Sequence, residues 1–162
     1  MATWQYDMHL IPKRALVERF GVLPSHLPRK EWESSEWWLL HPPPDEFESL
    51  IAKRLAPAEP WATDVSIWGP VDETCVHAVF EVQGLVELMV RVDLRTADSS
   101  LLTWVCSIAK RLKSVFRTAE GELLLPTKAV LADRMLRSPA ARFLRDPHAL
   151  LSGMGSGGPL EG

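Results

Sequence analysis

The chain has 162 residues, enough for one domain with a substantial core. Its 46% hydrophobic and 24% charged residues match ordinary globular usage, and no run approaches the ~20 apolar residues of a membrane span. The net charge of −3 is too small to imply a partner, yet residues 1–81 carry 7 Lys and Arg against 13 Asp and Glu, while residues 82–162 carry 11 against 8. Such lopsidedness bears on the steering of charged partners and not on fold.

The opening MATWQYDMHLIPKR places Lys and Arg after its apolar stretch, the wrong order for a secretory signal, so a cytoplasmic location is expected. Trp4, Tyr6, Met8 and Leu10 alternate with Gln5, Asp7 and His9, which predicts a strand over residues 3–11. Pro12 then opens a helix with Leu16, Val17 and Phe20 on one face and Gly21 as its stop. Prolines at 24, 28 and 42–44 exclude most regular structure from residues 22–44, within which EWESSEWWLL reads as a short helix or an extended piece. In PDEFESLIAKRL, Asp45 and Glu46 suit a first helical turn and Lys53 and Arg54 a last one. Phe47, Leu50, Ile51 and Leu55 form its apolar stripe, and Pro57 and Pro60 end it. DVSIWG, residues 64–69, reads as a short strand.

Residues 74–95, TCVHAVFEVQGLVELMVRVDLR, read as a β-hairpin pivoting on Gly84, where a positive φ is expected. In that register Val82 faces Val86, Phe80 faces Leu88, Ala78 faces Val90 and Val76 faces Val92, giving one wholly apolar face. The other face pairs Glu81 with Glu87, Val79 with Met89, His77 with Arg91 and Cys75 with Asp93. A one-residue slip would oppose polar to apolar side chains along the ladder. Like charges directly opposite cost roughly 0.2–1 kcal/mol, so Glu81 and Glu87 need a reason: a basic neighbour such as Arg91 or Arg95, a positively charged partner, or chemistry between paired carboxylates.

Asp98 to Lys113 is the clearest helix, with Leu101, Leu102, Val105, Ile108, Ala109 and Leu112 at helical spacing and cations at its end. VFRTAEGELLLP reads as a last strand or a small hairpin over residues 119–121. Thr127 is expected to cap a helix through about Arg137, and Ser138-Pro139 and Asp146-Pro147 each resemble an N-cap followed by proline at the first helical position. The fold expected is α+β, a mostly antiparallel sheet of about 4–5 strands with helices packed on one face. It forms a single domain over residues 1–151, followed by a disordered Gly/Ser-rich tail over 152–162.

Catalytic and ligand signatures are sparse. The two cysteines, Cys75 and Cys106, form no CxxC pair and read as small buried residues. His9, His26, His41, His77 and His148 form no metal-ligand spacing, and the glycine-rich phosphate motifs are absent, so no cofactor or metal is expected. Five of the seven tryptophans fall in residues 32–68. Trp32 and Trp37 stand among Glu31, Glu33 and Glu36 in a proline-flanked segment, and aromatics among carboxylates suit a protein interface that meets a basic partner. Residues 110–117, KRLKSVFR, are the nearest approach to a nucleic-acid patch and read instead as a solvated helix end, so no direct nucleic-acid contact is expected.

VRVDLR at 90–95, the following amphipathic helix and SPAARFLRDPHALL at 138–151 resemble a broad group of small bacterial α+β proteins, some of which are similar to immunity proteins encoded beside polymorphic toxins. The resemblance spans residues 60–151 or so. It implies a non-catalytic inhibitor that occludes the active site of a cognate protein toxin whose surface there is basic. The residues expected to meet that partner are Glu31, Trp32, Glu33, Glu36, Trp37, Glu81 and Glu87. The alternative is a small enzyme using Glu81 and Glu87, with a divalent cation or His77.

Overall fold

A computed structural model describes residues 2–145. The second proline cap at Asp146-Pro147, His148, the last residues of the expected domain and the Gly/Ser-rich tail lie outside the described residues. Among the described residues the chain forms seven strands and seven helices, in an α+β arrangement around one antiparallel sheet. The strands are β1 (Gln5–Pro12), β2 (Pro57–Ala58), β3 (Val65–Trp68), β4 (Cys75–Glu81), β5 (Gly84–Asp93), β6 (Ser114–Thr118) and β7 (Leu123–Leu124). They lie in the order β2-β3-β4-β5-β1-β6-β7. The sheet is therefore wider than the 4–5 strands expected: β7 pairs with β6 in the small hairpin that is one of the two readings of VFRTAEGELLLP, and the two-residue β2 has too little periodicity to be seen in sequence. Such short edges also limit edge-to-edge pairing with other chains.

The helices are α1 (Lys13–Phe20), α2 (Arg29–Glu33), α3 (Trp37–Leu40), α4 (Phe47–Ala52), α5 (Ser99–Arg111), α6 (Lys128–Leu136) and α7 (Pro139–Arg145). Several ends follow their expected chemistry. Gly21 takes φ 80° and its N–H donates to the Val17 carbonyl, closing α1. The Asp98 carboxylate accepts from the Leu101 N–H at 2.8 Å and caps α5. The Ser138 hydroxyl accepts from the Ala141 N–H at 3.2 Å and caps α7. Thr127, by contrast, makes no side-chain cap to α6.

The main core lies on one sheet face. Tyr6, Met8 and Leu10 of β1 join Val76 and Ala78 of β4, Leu88, Val90 and Val92 of β5, and Phe116 of β6. Helices α4, α5 and α6 cover them with Phe47, Ile51, Leu101, Val105, Ile108, Leu131 and Met135. The opposite face is not bare, which corrects the expectation of helices on one face only. A second cluster joins Ile11, Val115 and Leu123 of the sheet to Ala15 and Leu16 of α1, Leu27 and Trp37. Residues of opposite parity on β1 and β6 therefore feed two cores, and α1 is amphipathic toward the second one. The adjacent Trp37 and Trp38 enter different clusters, so α3 sits at the boundary between them.

The β4–β5 hairpin keeps the expected faces but not the expected register. Val76 pairs with Val90, Ala78 with Leu88, His77 with Met89, Cys75 with Arg91 and Val79 with Glu87. A bulge between Val79 and Phe80 then shifts the ladder, so Phe80 meets Leu85 and Glu81 meets Gly84. The turn residues are Val82 and Gln83, and Gly84, at φ 137°, starts β5 instead of forming the pivot. Val82 is fully exposed and Val86 half-buried, so neither joins the apolar face as a facing pair. An extra residue on one strand is what a bulge supplies, and whole-residue pairing arguments cannot anticipate it.

Candidate functional site: an acidic cleft walled by tryptophan

Two very short helices, α2 and α3, make one wall of the site. Neither is long enough to persist alone in water. Side-chain anchors hold them: the Trp37 indole N–H donates to the Trp32 carbonyl at 2.9 Å, and the Trp38 indole N–H donates to the Leu10 carbonyl at 2.8 Å. Trp32 lies beside the sheet, with its ring 4.4 Å from the His9 ring between centroids. The Arg117 guanidinium sits 4.8 Å from the Trp32 ring centre. His9 and Arg117 are cross-strand partners on β1 and β6, so one tryptophan covers both.

Between this wall and the start of β5 lies a cleft of about 220 Å³. It gathers Trp32, Glu33, Glu36, Trp37, Glu81 and Glu87, which are distant in sequence. Glu31 is the expected site residue left out. Its carboxylate accepts from Arg19 at 3.0 Å, and that guanidinium lies over the rings of Phe20 and Trp37. Glu31 therefore ties α2 to α1 behind the cleft wall. Trp37 is buried at 3% exposure, so it acts as a wall whose bulk belongs to the second core.

The carboxylates differ in state. Glu87 and His9 meet at 2.8 Å, and this hydrogen bond holds the Glu87 carboxyl below its ordinary pKa against the opposing effect of burial. Glu33 accepts from Arg29 at 2.6 Å along α2. Glu36 and Glu81 are exposed and make no ion pair or side-chain hydrogen bond among the described residues. Arg91 and Arg95 do not neutralise Glu81 or Glu87: Arg91 forks onto Asp7 at 2.8 and 3.1 Å, and Arg95 onto Asp93. The charged residues of VRVDLR are thus structural. Sequence reasoning missed His9, Ser35 and Val86 as cleft residues. The one available signal for His9 was its place on the polar side of β1; its partner depends on β1 pairing with β5, a contact between segments far apart in the chain.

Neither catalytic alternative gains geometry. Glu81 and Glu87 are not cross-strand partners, since Glu81 meets Gly84 and Glu87 meets Val79. Cys75 Sγ lies 3.3 Å from His77 Nε2, but burial pushes the thiol up to about 11, so little thiolate forms near neutrality. His77 is pushed below its ordinary value, first by burial and then by the Arg91 charge, and the Trp61 ring stands edge-on to it at 5.0 Å. Among the described residues no group of three or more His, Cys, Asp or Glu is arranged to hold a metal ion. Nor is any helix among them long and apolar enough to cross a membrane. No protein-family description, curated protein or solved structure matches the chain.

Proposed function

We propose that this chain is a stoichiometric binding protein whose acidic cleft receives a basic side chain of a protein partner, in the manner of an immunity protein covering a toxin's active site. The observation that carries the reading is the cleft itself: Glu36 and Glu81, without cations among the described residues, beside Trp32, in a volume of about 220 Å³. Sites for cofactor-sized ligands run to roughly 300–1,000 Å³. This one suits a single anchoring side chain, the usual unit of a protein–protein hot spot. Lysine or arginine there gains from the carboxylates and from the indole face. The remaining carboxylates steer the encounter more than they hold the complex.

In this reading the protein acts without catalysis or cofactor, in the cytoplasm, by blocking a basic surface that otherwise meets nucleic acid. The test is a pull-down with the product of the neighbouring gene, followed by calorimetry with Glu33, Glu36 and Glu81 reversed to Lys. Loss of at least about tenfold in affinity is expected. A proven complex that keeps full affinity after all three reversals places the partner elsewhere on the molecule.

A further inference from the structure

A second surface carries the opposite charge. The first turn of α1, the end of α5 and the segment after β7 enclose a groove of about 600 Å³. Its rim holds Lys13, Arg14, Lys110 and Lys113, and Val17 and Leu125 form part of its floor, Leu125 being 48% exposed. Glu18 is the acidic residue of the lining, and its carboxylate already meets Arg14 at 2.9 Å and His41 at 2.7 Å. Lys13, Lys110 and Lys113 have no carboxylate partner among the described residues.

Two features of this rim run against local stability. Lys113 stands at φ 51°, the left-handed region, just past the end of α5, where glycine or asparagine is the ordinary choice. Lys13 and Arg14 occupy the first turn of α1, which contains no acidic residue, so two cations face the positive end of the helix dipole. Both penalties fall on residues that ring one groove. An anion seated there relieves the charge crowding on α1 and gives the Lys113 ammonium, held at the groove by that backbone, a partner. The cations at the end of α5 suit that helix's own dipole, but dipole complementarity explains neither the backbone of Lys113 nor the charges on α1.

We propose that this groove binds an acidic segment of a protein partner that carries apolar side chains among its carboxylates. The floor decides the class. It is aliphatic, and no aromatic residue lines it among the described residues, whereas single-stranded nucleic acid is held by stacking on aromatic rings. A volume of about 600 Å³ admits several apolar side chains, and the rim lysines sit where carboxylates flanking them would lie. The surface is separate from the acidic cleft, so it does not depend on that reading.

The experiment is fluorescence anisotropy of the full chain with a labelled helical peptide of Glu, Leu and Ala, compared with its Gln-for-Glu and Ala-for-Leu counterparts. Binding of the first peptide, weakened by salt and at least about tenfold poorer for either counterpart, is expected. The combined change Lys13→Ala, Lys110→Ala, Lys113→Gly should lower affinity by a similar factor while circular dichroism remains native. Lys113→Gly removes the backbone penalty, so lost binding cannot be ascribed to lost folding. Glu36→Lys with Glu81→Lys should leave peptide binding intact. Equal binding of the Gln counterpart, tighter binding of a single-stranded oligonucleotide, no binding of the acidic peptide, or self-association of the chain abolished by the lysine changes each overturns the proposal.

Discussion

Truncating Trp32 tests how the cleft wall is held. The Trp32→Ala change removes a ring that packs 4.4 Å from His9 and lies against the guanidinium of Arg117. Arg117 is 5% exposed, donates to the Leu27 and Thr118 carbonyls, and has no carboxylate partner among the described residues. Burial accordingly pushes its pKa down. A cation–π contact at such a desolvated site is worth up to ~2 kcal/mol, and the aromatic contact with His9 about 0.5–1.5 kcal/mol. The expected loss is therefore about 2–3 kcal/mol, which for a domain of this size lowers Tm by roughly 4–12 °C. The Trp32 carbonyl stays in place for the Trp37 indole, so the change isolates the ring. Differential scanning calorimetry of Trp32→Ala, Arg117→Met and the double variant gives the coupling, expected at about 1–2 kcal/mol. A Tm for Trp32→Ala within ~1 °C of the parent, or additive losses in the cycle, refutes the argument that Trp32 shields a buried cation.

Three further outcomes follow from other parts of the molecule. His77 has a folded pKa below its unfolded value of about 6.5, so the unfolded chain binds more protons between those two values. Stability should be fully present above pH ~6.5, fall as pH drops through that window, and lose this dependence in His77→Asn, as read by urea unfolding across pH. The depressed Glu87 acts lower, its contribution being lost only as pH falls below the ordinary carboxyl range. Lys113→Gly should raise stability by about 0.5–1 kcal/mol, because glycine carries no left-handed penalty but a larger unfolded-state entropy; a lower Tm contradicts the backbone assignment. Cys75, fully buried with its thiol pushed up to about 11, should resist iodoacetamide at pH 8 until denaturant is added; prompt alkylation of the native protein contradicts its placement.

Much of the architecture was legible because local chemistry and tertiary packing agree. The alternation of Tyr6, Met8 and Leu10, the Gly21 stop of α1 and the amphipathic helix beginning at Asp98 all carry into the structure. The failures have particular causes. The turn falls at Val82 and Gln83 instead of Gly84, and the bulge between Val79 and Phe80 offsets only part of that shift, so Val76 meets Val90 and not Val92, face parity survives along Cys75–Val79, and Glu81 and Glu87 are not cross-strand partners. The helix α4 closes at Ala52, short of the Lys53 and Arg54 expected in its last turn, and Pro57, expected only to end it, lies in the edge strand β2, a position where the missing N–H costs nothing. The second core was hidden because Ile11, Ala15, Leu16 and Val115 look like ordinary members of single-sided elements until β1 pairs with β6.

The candidate site was partly legible for a similar reason. Tryptophans and carboxylates in a proline-flanked segment marked α2 and α3, and the hairpin end marked Glu81 and Glu87, yet only the fold joins the two groups. The sequence halves differ in charge, but the structure sorts sign by surface. Glu33, Glu36, Glu81 and Glu87 meet at the cleft, while Lys13 and Arg14 join Lys110 and Lys113 at the groove. Glu31 shows the limit of composition as a guide, since its role was decided by the neighbouring Arg19.

The most direct test of the cleft as the partner site is hydrogen–deuterium exchange of the chain alone and in complex with the neighbouring gene's product. Slowed exchange in residues 32–38 and 81–88, with α5 and α6 unchanged, is the result predicted. Protection confined to α5, α6 or the β2 edge, with the cleft exchanging as in the free protein, contradicts it.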